Sequence, residues 1–268
     1  MKSWISEQAA LVVEAWDSKL TDAAGSAVSW MSSPYEYVQR LTVECNYLTA
    51  VKQVDLNQFI SENCVAIDLG CGGGWLSAYV SSFQNVKTVF AIDTSLNYLS
   101  NFVPEVTKIM GGDIKKIEMV HGHFYPLLFE DKSIDLILIS SAAHHANSLE
   151  VLFKECHRVL RDTGYILILN ETPSNEFRFV LRTIKEFVRL AILQQFRRYR
   201  AQPVTIGVGK VLYDPNLGDV DYAPWFWKKA LSAANLKLID IHNSKLPTVV
   251  GSKSFGHPLS HFICSKRN

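Results

Sequence analysis

The chain has almost no excess of either charge: 27 Lys+Arg stand against 26 Asp+Glu in 268 residues, a formal net charge of +1. That excludes a surface built throughout to neutralise phosphates, so DNA is not an expected partner and RNA is not the default one. Cysteine is sparse and dispersed. The five, Cys45, Cys64, Cys71, Cys156 and Cys264, form no C-x-x-C pair and have no histidine at zinc spacing. Neither a disulfide framework nor a metal site is expected, and a reducing, cytoplasmic setting fits. Long apolar runs are missing too. Residues 9–13 lie between Glu7 and Glu14 and are too few for the apolar core of a secretory leader. The run at 134–139, interrupted by Asp135, falls far short of the ~20 residues that span a bilayer. No internal repeat or low-complexity tract is found.

What is present divides into three stretches. Over residues 1–60, Leu11, Val12, Ala15 and Trp16, then Tyr37, Leu41, Cys45 and Leu48, recur at three- and four-residue spacing, with Ser33-Pro34 marking a helix start; this predicts a helical cap. From Val65 onward, short Val/Ile-rich runs alternate with helical segments, the pattern of a parallel sheet covered on both faces. Strands are expected at 64–69, 88–93, 116–120, 134–140 and 165–170. Helices are expected at 75–82, at 96–108 with a kink or restart at Pro104, and at 149–160, closed by Asp162-Thr163-Gly164. An insertion at about 173–223 interrupts the alternation. It opens on a basic amphipathic helix, 175–200, followed by a loop at 213–222. A helix at 224–234 and strands at 236–243 and 261–265 close the α/β pattern.

The run Val65-Ala66-Ile67-Asp68-Leu69-Gly70-Cys71-Gly72-Gly73-Gly74-Trp75 takes a buried strand into a glycine-rich turn and then a helix, where bare backbone can approach a ligand. Trp75 stands where a dinucleotide loop needs a small residue, and the Lys-Ser/Thr pair of a triphosphate loop is missing. The pattern that fits is D-x-G-x-G-x-G, read as Asp68, Gly70, Gly72 and Gly74. Here the sequence resembles the class I S-adenosylmethionine-dependent methyltransferases, over about 65–170 and more weakly in the last two strands. The Gly122-His123-Phe124-Tyr125-Pro126-Leu127 segment, the strand ending at Ser140 with Ser141-Ala142-Ala143-His144-His145 after it, and Glu155-Cys156-His157-Arg158-Val159-Leu160 are similar to further family segments, in order.

The resemblance implies a Rossmann-like sheet of seven mostly parallel strands with helices on both faces, spanning 61–268, and S-adenosyl-L-methionine as cofactor. It places Gly70, Cys71, Gly72 and Gly74, with Asp68 beneath them, at the cofactor. Asp93 and Thr94 end the second strand, where an acidic side chain accepts from both ribose hydroxyls; capping of the next helix is the alternative role for Asp93. His123 replaces the family's adenine-facing Asp, with Phe124 beside it, and Ser140 ends the fourth strand.

Deprotonation of a hydroxyl or carbon acid needs a base. His145 is the first choice and His144 the second, both beyond the carboxyl end of the fourth strand, where ligands of open α/β sheets bind. Tyr35, at the start of the second cap helix, is a candidate hydrogen-bonding partner. His257 and His261 read as surface or strand-end residues.

In the basic helix, Phe177, Leu181, Ile184, Val188, Ala191 and Ile192 are expected to pack on the domain. Its cations, Arg178, Arg182, Lys185, Arg189, Arg197, Arg198 and Arg200, suit an anionic or phosphorylated acceptor or peripheral contact with an anionic membrane. The favoured function is methyl transfer to a small-molecule acceptor, at oxygen, in a biosynthetic pathway. An RNA-modifying methyltransferase and a non-catalytic cofactor-binding scaffold are the alternatives.

Overall fold

A computed structural model describes residues 1–4, 33–173, 210–214, 219–249 and 258–267, together with separate positions between 177 and 192. Ten strands are found among them: β1 (Lys2–Ser3), β2 (Cys64–Leu69), β3 (Val86–Asp93), β4 (Ile117–His121), β5 (Ile134–Ser140), β6 (Leu160–Glu171), β7 (Lys210–Asp214), β8 (Asp219–Tyr222), β9 (Leu236–Asn243) and β10 (Ser260–Lys266). The main sheet has eight strands in the order β1-β4-β3-β2-β5-β6-β10-β9, one more than the seven expected, because residues 2–3 pair in parallel with β4. Strands β1 to β6 in this sheet run parallel, and β10 pairs antiparallel with both β6 and β9.

Among the continuously described residues, six α-helices are found: α1 (Pro34–Val38), α2 (Tyr47–Val51), α3 (Trp75–Ser81), α4 (Val103–Met110), α5 (Leu149–Val159) and α6 (Pro224–Ala233). Alternation along the strands sorts the core into two layers. Ile67, Leu69, Ile92, Ile137, Ile139, Ile166 and Ile168 face α5 and α6, while Ala66, Val89, Leu136, Leu138, Leu167 and Leu169 face α3, α4 and the cap. Near-continuous burial of β2 and β5 follows from coverage on both sides.

Several expectations are corrected. The cap's second helix starts at Ser33-Pro34, with Ser33 accepting from the Glu36 N–H, but it breaks into α1, a wide π turn (Gln39–Glu44) and α2, with Asn46 left-handed at φ 61°. The segment expected at 96–108 does restart at Pro104: a π turn (Tyr98–Phe102) precedes α4, and Pro104 sits in the first turn of α4, where its missing N–H costs no helical bond. Gly164 does not close α5. It lies within β6, where a β-carbon would meet the Asp135 carbonyl oxygen at 2.7 Å. The expected loop at 213–222 is mostly an antiparallel pair, β7 and β8.

His261 is fully buried in β10. The Asn170 N–H donates to its Nδ1 at 3.0 Å. In the insertion, Phe177 (72% exposed), Leu181, Ile184, Val188 and Ile192 are exposed rather than packed, and contact runs through Phe179, which is buried against Ala223 and Phe226. The six arginines of that helix, Ala191 and His257 lie outside the described side chains. No helix among the described residues is long and apolar enough to cross a membrane.

Candidate active site

The strand order turns back between β2 and β5, so the carboxyl ends of these two strands bound a crevice at the switch point of the sheet. The loop after β2 takes three positive φ values, 73° at Gly70, 51° at Gly72 and 82° at Gly74, a backbone that side-chain-bearing residues adopt only with strain. It is also crowded. A β-carbon on Gly70 would stand 2.7 Å from that of Ala142 and 3.0 Å from the Phe124 ring; one on Gly72 would stand 2.9 Å from Tyr37 Oη.

Every amide of this loop is donated within the protein. Gly70 and Cys71 give theirs to the Ile92 carbonyl, Gly74 to Cys71, Gly72 to Asp93 Oδ2 at 2.7 Å and Gly73 to Tyr37 Oη at 2.9 Å. None is left to cradle a pyrophosphate, the task of such loops in dinucleotide and triphosphate sites.

Asp93 ends β3 half-buried beside the loop; its Oδ1 accepts from the Ser95 N–H at 2.9 Å, its Oδ2 from Gly72. Each oxygen has then taken one backbone donor and retains capacity for a ribose hydroxyl. Burial raises its pKa, and backbone hydrogen bonds oppose that rise. Capping and sugar binding are thus compatible on one carboxylate. Asp68 lies beneath the loop, 1% exposed, accepting from Ser77 Oγ at 2.6 Å, with its carboxyl pushed up to about 7 by burial. The buried Cys71 thiol is pushed well above its ordinary value, chiefly by desolvation, with Asp93 and Asp68 adding to it.

On the β4 side, His121 Nε2 lies 3.0 Å from the Thr94 carbonyl and Nδ1 3.2 Å from Ser3 Oγ, so Nε2 carries the proton if the ring is neutral. His123 is half-buried with its pKa lowered by desolvation, and its buried Nε2 has no hydrogen-bond partner among the described residues. A buried polar atom in that state suits a ligand's polar edge.

Beyond β5, Ser140 Oγ accepts from Asn170 Nδ2 at 3.1 Å, and Ser141, left-handed at φ 48°, pairs with Tyr47 Oη at 2.9 Å. The Ala143–His145 turn follows, its two imidazoles 4.2 Å apart. His144 Nδ1 lies 2.8 Å from Glu171 Oε2, while His145 lies near enough to favour the charged form of Asp93.

Tyr35 is 67% exposed on α1, whereas Tyr37, two residues on, is buried against the loop. Tyr37, Tyr47, His121 and Glu171 were missed by motif matching; only the helical spacing that put Tyr37 on the cap's inner face could have found any of them.

A methyltransferase-domain family profile matches residues 67–168. A demethylmenaquinone methyltransferase of Staphylococcus aureus (strain MRSA252) is 30% identical over 119 residues, 44% of this chain and 47% of that protein. Another from Bacillus pumilus (strain SAFR-032) is 26% identical over 183 residues, 62% of this chain and 76% of that one. Over this central region the chain is similar to S-adenosylmethionine-dependent methyltransferases.

The match to the Staphylococcus relative spans about half of that protein's length. Among solved structures, the 1,6-didemethyltoxoflavin-N1-methyltransferase of Burkholderia thailandensis, with its acceptor and S-adenosylhomocysteine bound, superposes with a TM-score of 0.59 at 15% identity, covering 99% of this chain and 92% of that one. At this identity the likeness is one of fold. S-adenosyl-L-methionine is the cofactor of the methyltransferases that this chain resembles, and the glycine loop, the carboxylate of Asp93 and His123 Nε2, without a partner among the described residues, fit it.

Proposed function

We propose that this methyltransferase moves a methyl group from S-adenosylmethionine to a small-molecule acceptor, at oxygen, in a biosynthetic pathway. The observation that carries this reading is convergence: the glycine loop, Asp93, His123 and the His144-His145 turn all lie at carboxyl ends of neighbouring parallel strands. When bound, the cofactor supplies a methyl group on a sulfonium, whose charge disappears on transfer. Asp93 holds the ribose, His123 and Phe124 border the base, and Gly70–Gly74 let the nucleoside lie against main chain. An imidazole of the Ala143–His145 turn takes the proton of the acceptor hydroxyl, and alignment at near-attack distance contributes up to ~7–11 kcal/mol of barrier lowering.

Five buried thiols without disulfides support a reducing compartment, the cytoplasm. The exposed apolar face at Phe177, Leu181, Ile184 and Val188, in a segment rich in arginine, supports an acceptor with an apolar body and an anionic group. A second reading is favoured by the relatives' names. Demethylmenaquinone is a quinone, and the reduced, deprotonated ring of such an acceptor is nucleophilic at carbon as well as oxygen, so the same base serves either outcome.

The test is incubation with trideuteromethyl-labelled cofactor and a small-molecule extract of the source cells. Mass spectrometry should find a product 17 Da heavier than its acceptor, the hydrogen lost and the CD3 gained, and NMR should place the label on oxygen. A label found only in RNA, or no labelled product at all, refutes the proposal.

A further inference from the structure

We infer that Glu171 is a positioning residue that makes His144, rather than His145, the general base of the transfer. The inference rests on the methyl-transfer reading above and deepens it. Glu171 is the last residue of β6, and its side chain is 3% exposed. A carboxylate so placed is costly unless its oxygens are matched by donors. Both matches come from one turn: Oε1 accepts from the Ala143 N–H at 3.0 Å, and Oε2 lies 2.8 Å from His144 Nδ1. One buried group thereby fixes the backbone of the turn and the ring that the turn carries.

The tautomer follows. A backbone amide can only donate, so Oε1 must accept; an ionised carboxylate can only accept, so Oε2 takes a hydrogen from Nδ1. The lone pair of neutral His144 is then on Nε2, the basic nitrogen. As the acceptor's O–H bond breaks, its proton passes to this lone pair, its bonding electrons stay on oxygen to form the new bond to the methyl carbon, and the electrons of the carbon–sulfur bond leave with sulfur. The imidazolium so formed is held against the Glu171 carboxylate until it releases the proton to water. His145 follows in the same turn, its ring 4.2 Å from that of His144, but the Glu171 carboxylate meets the His144 ring.

The test uses the full chain labelled with 15N-histidine, with the His144 ring signals assigned by their loss in His144→Gln. Long-range 1H–15N correlation should show neutral His144 with its proton on Nδ1 in the wild type and in His145→Gln. In Glu171→Gln, the amide oxygen stays on the Ala143 N–H and the amide nitrogen turns its hydrogens toward the ring, so the His144 proton should move to Nε2. With the labelled cofactor and cell extract of the preceding section, product formation should fall at least 100-fold in His144→Gln and Glu171→Gln and less than tenfold in His145→Gln. S-adenosylhomocysteine affinity should stay within threefold in His144→Gln and Glu171→Gln, which a general loosening of the site cannot produce. A wild-type His144 protonated on Nε2, or turnover within tenfold of wild type in Glu171→Gln, overturns the inference. A wild type that transfers no methyl overturns the function on which it stands, and the two failures are told apart by the tautomer.

Discussion

Asp93 and Gly72 meet in one hydrogen bond of 2.7 Å, and each can be tested by a single change. Asp93→Asn keeps the shape of the side chain but loses the charge that strengthens its bonds to ribose hydroxyls. Calorimetric titration should find S-adenosylhomocysteine bound about 10–100-fold more weakly, the equivalent of ~1.5–3 kcal/mol; unchanged affinity would remove the sugar-binding role. Gly72→Ala forces a β-carbon onto a residue at φ 51° and sets it 2.9 Å from Tyr37 Oη. Urea unfolding should show a loss of about 1–3 kcal/mol. The glycines were legible in sequence as a close approach. That the approaching group is a tyrosine from the cap was not, because Tyr37 and Gly73 are brought together across 36 residues of chain.

The E-x-x-R segment on α5 has a mechanical explanation. Arg158 donates to the Leu127 and Phe129 carbonyls, to Asp131 and to Glu155, while Glu155 also accepts from the Leu127 N–H at 2.9 Å, so this helix clamps the chain leading into β5. Arg158→Met should lower stability by about 2–3 kcal/mol, read by thermal or urea unfolding, since several charge-assisted bonds are lost and the Glu155 carboxylate is left half-buried. On the same segment, Trp4 packs edge-on against Phe129 at 5.4 Å and covers Gly122. β2, β5 and β9 were legible to the residue, because sheet strands that carry apolar runs between turn signals announce themselves. β1 was not: two exposed residues carry no periodicity, and only pairing with β4 makes them a strand.

Across the whole molecule, buried titratable groups act against each other as pH changes. Burial pushes Asp68 up to about 7, so the folded state retains a proton that the unfolded chain releases near its ordinary value of about 4. The stability linked to it is complete below that ordinary value and is lost as pH rises through 7. His261 has the reverse sign: burial lowers it to about 4, so its contribution is complete above ~6.5 and is lost as pH falls through 4. Asp68→Asn should therefore gain stability relative to wild type as pH rises from 5 to 7, by up to about 1.4 kcal/mol per pH unit. Urea midpoints at the two pH values check this, and a constant difference would mean that Asp68 is ionised in the folded protein.

The layered α/β sheet, its glycine turn and the acid that follows it are written in short stretches of sequence, because apolar period, backbone permissiveness and strand-end polarity are local properties. The pairing of Glu171 with His144, the burial of His261 and the seating of Tyr37 on the loop are not, since each joins residues far apart in the chain. They arise when the sheet sets its strand ends side by side and the cap closes over them, and the chemistry of the site depends on those meetings.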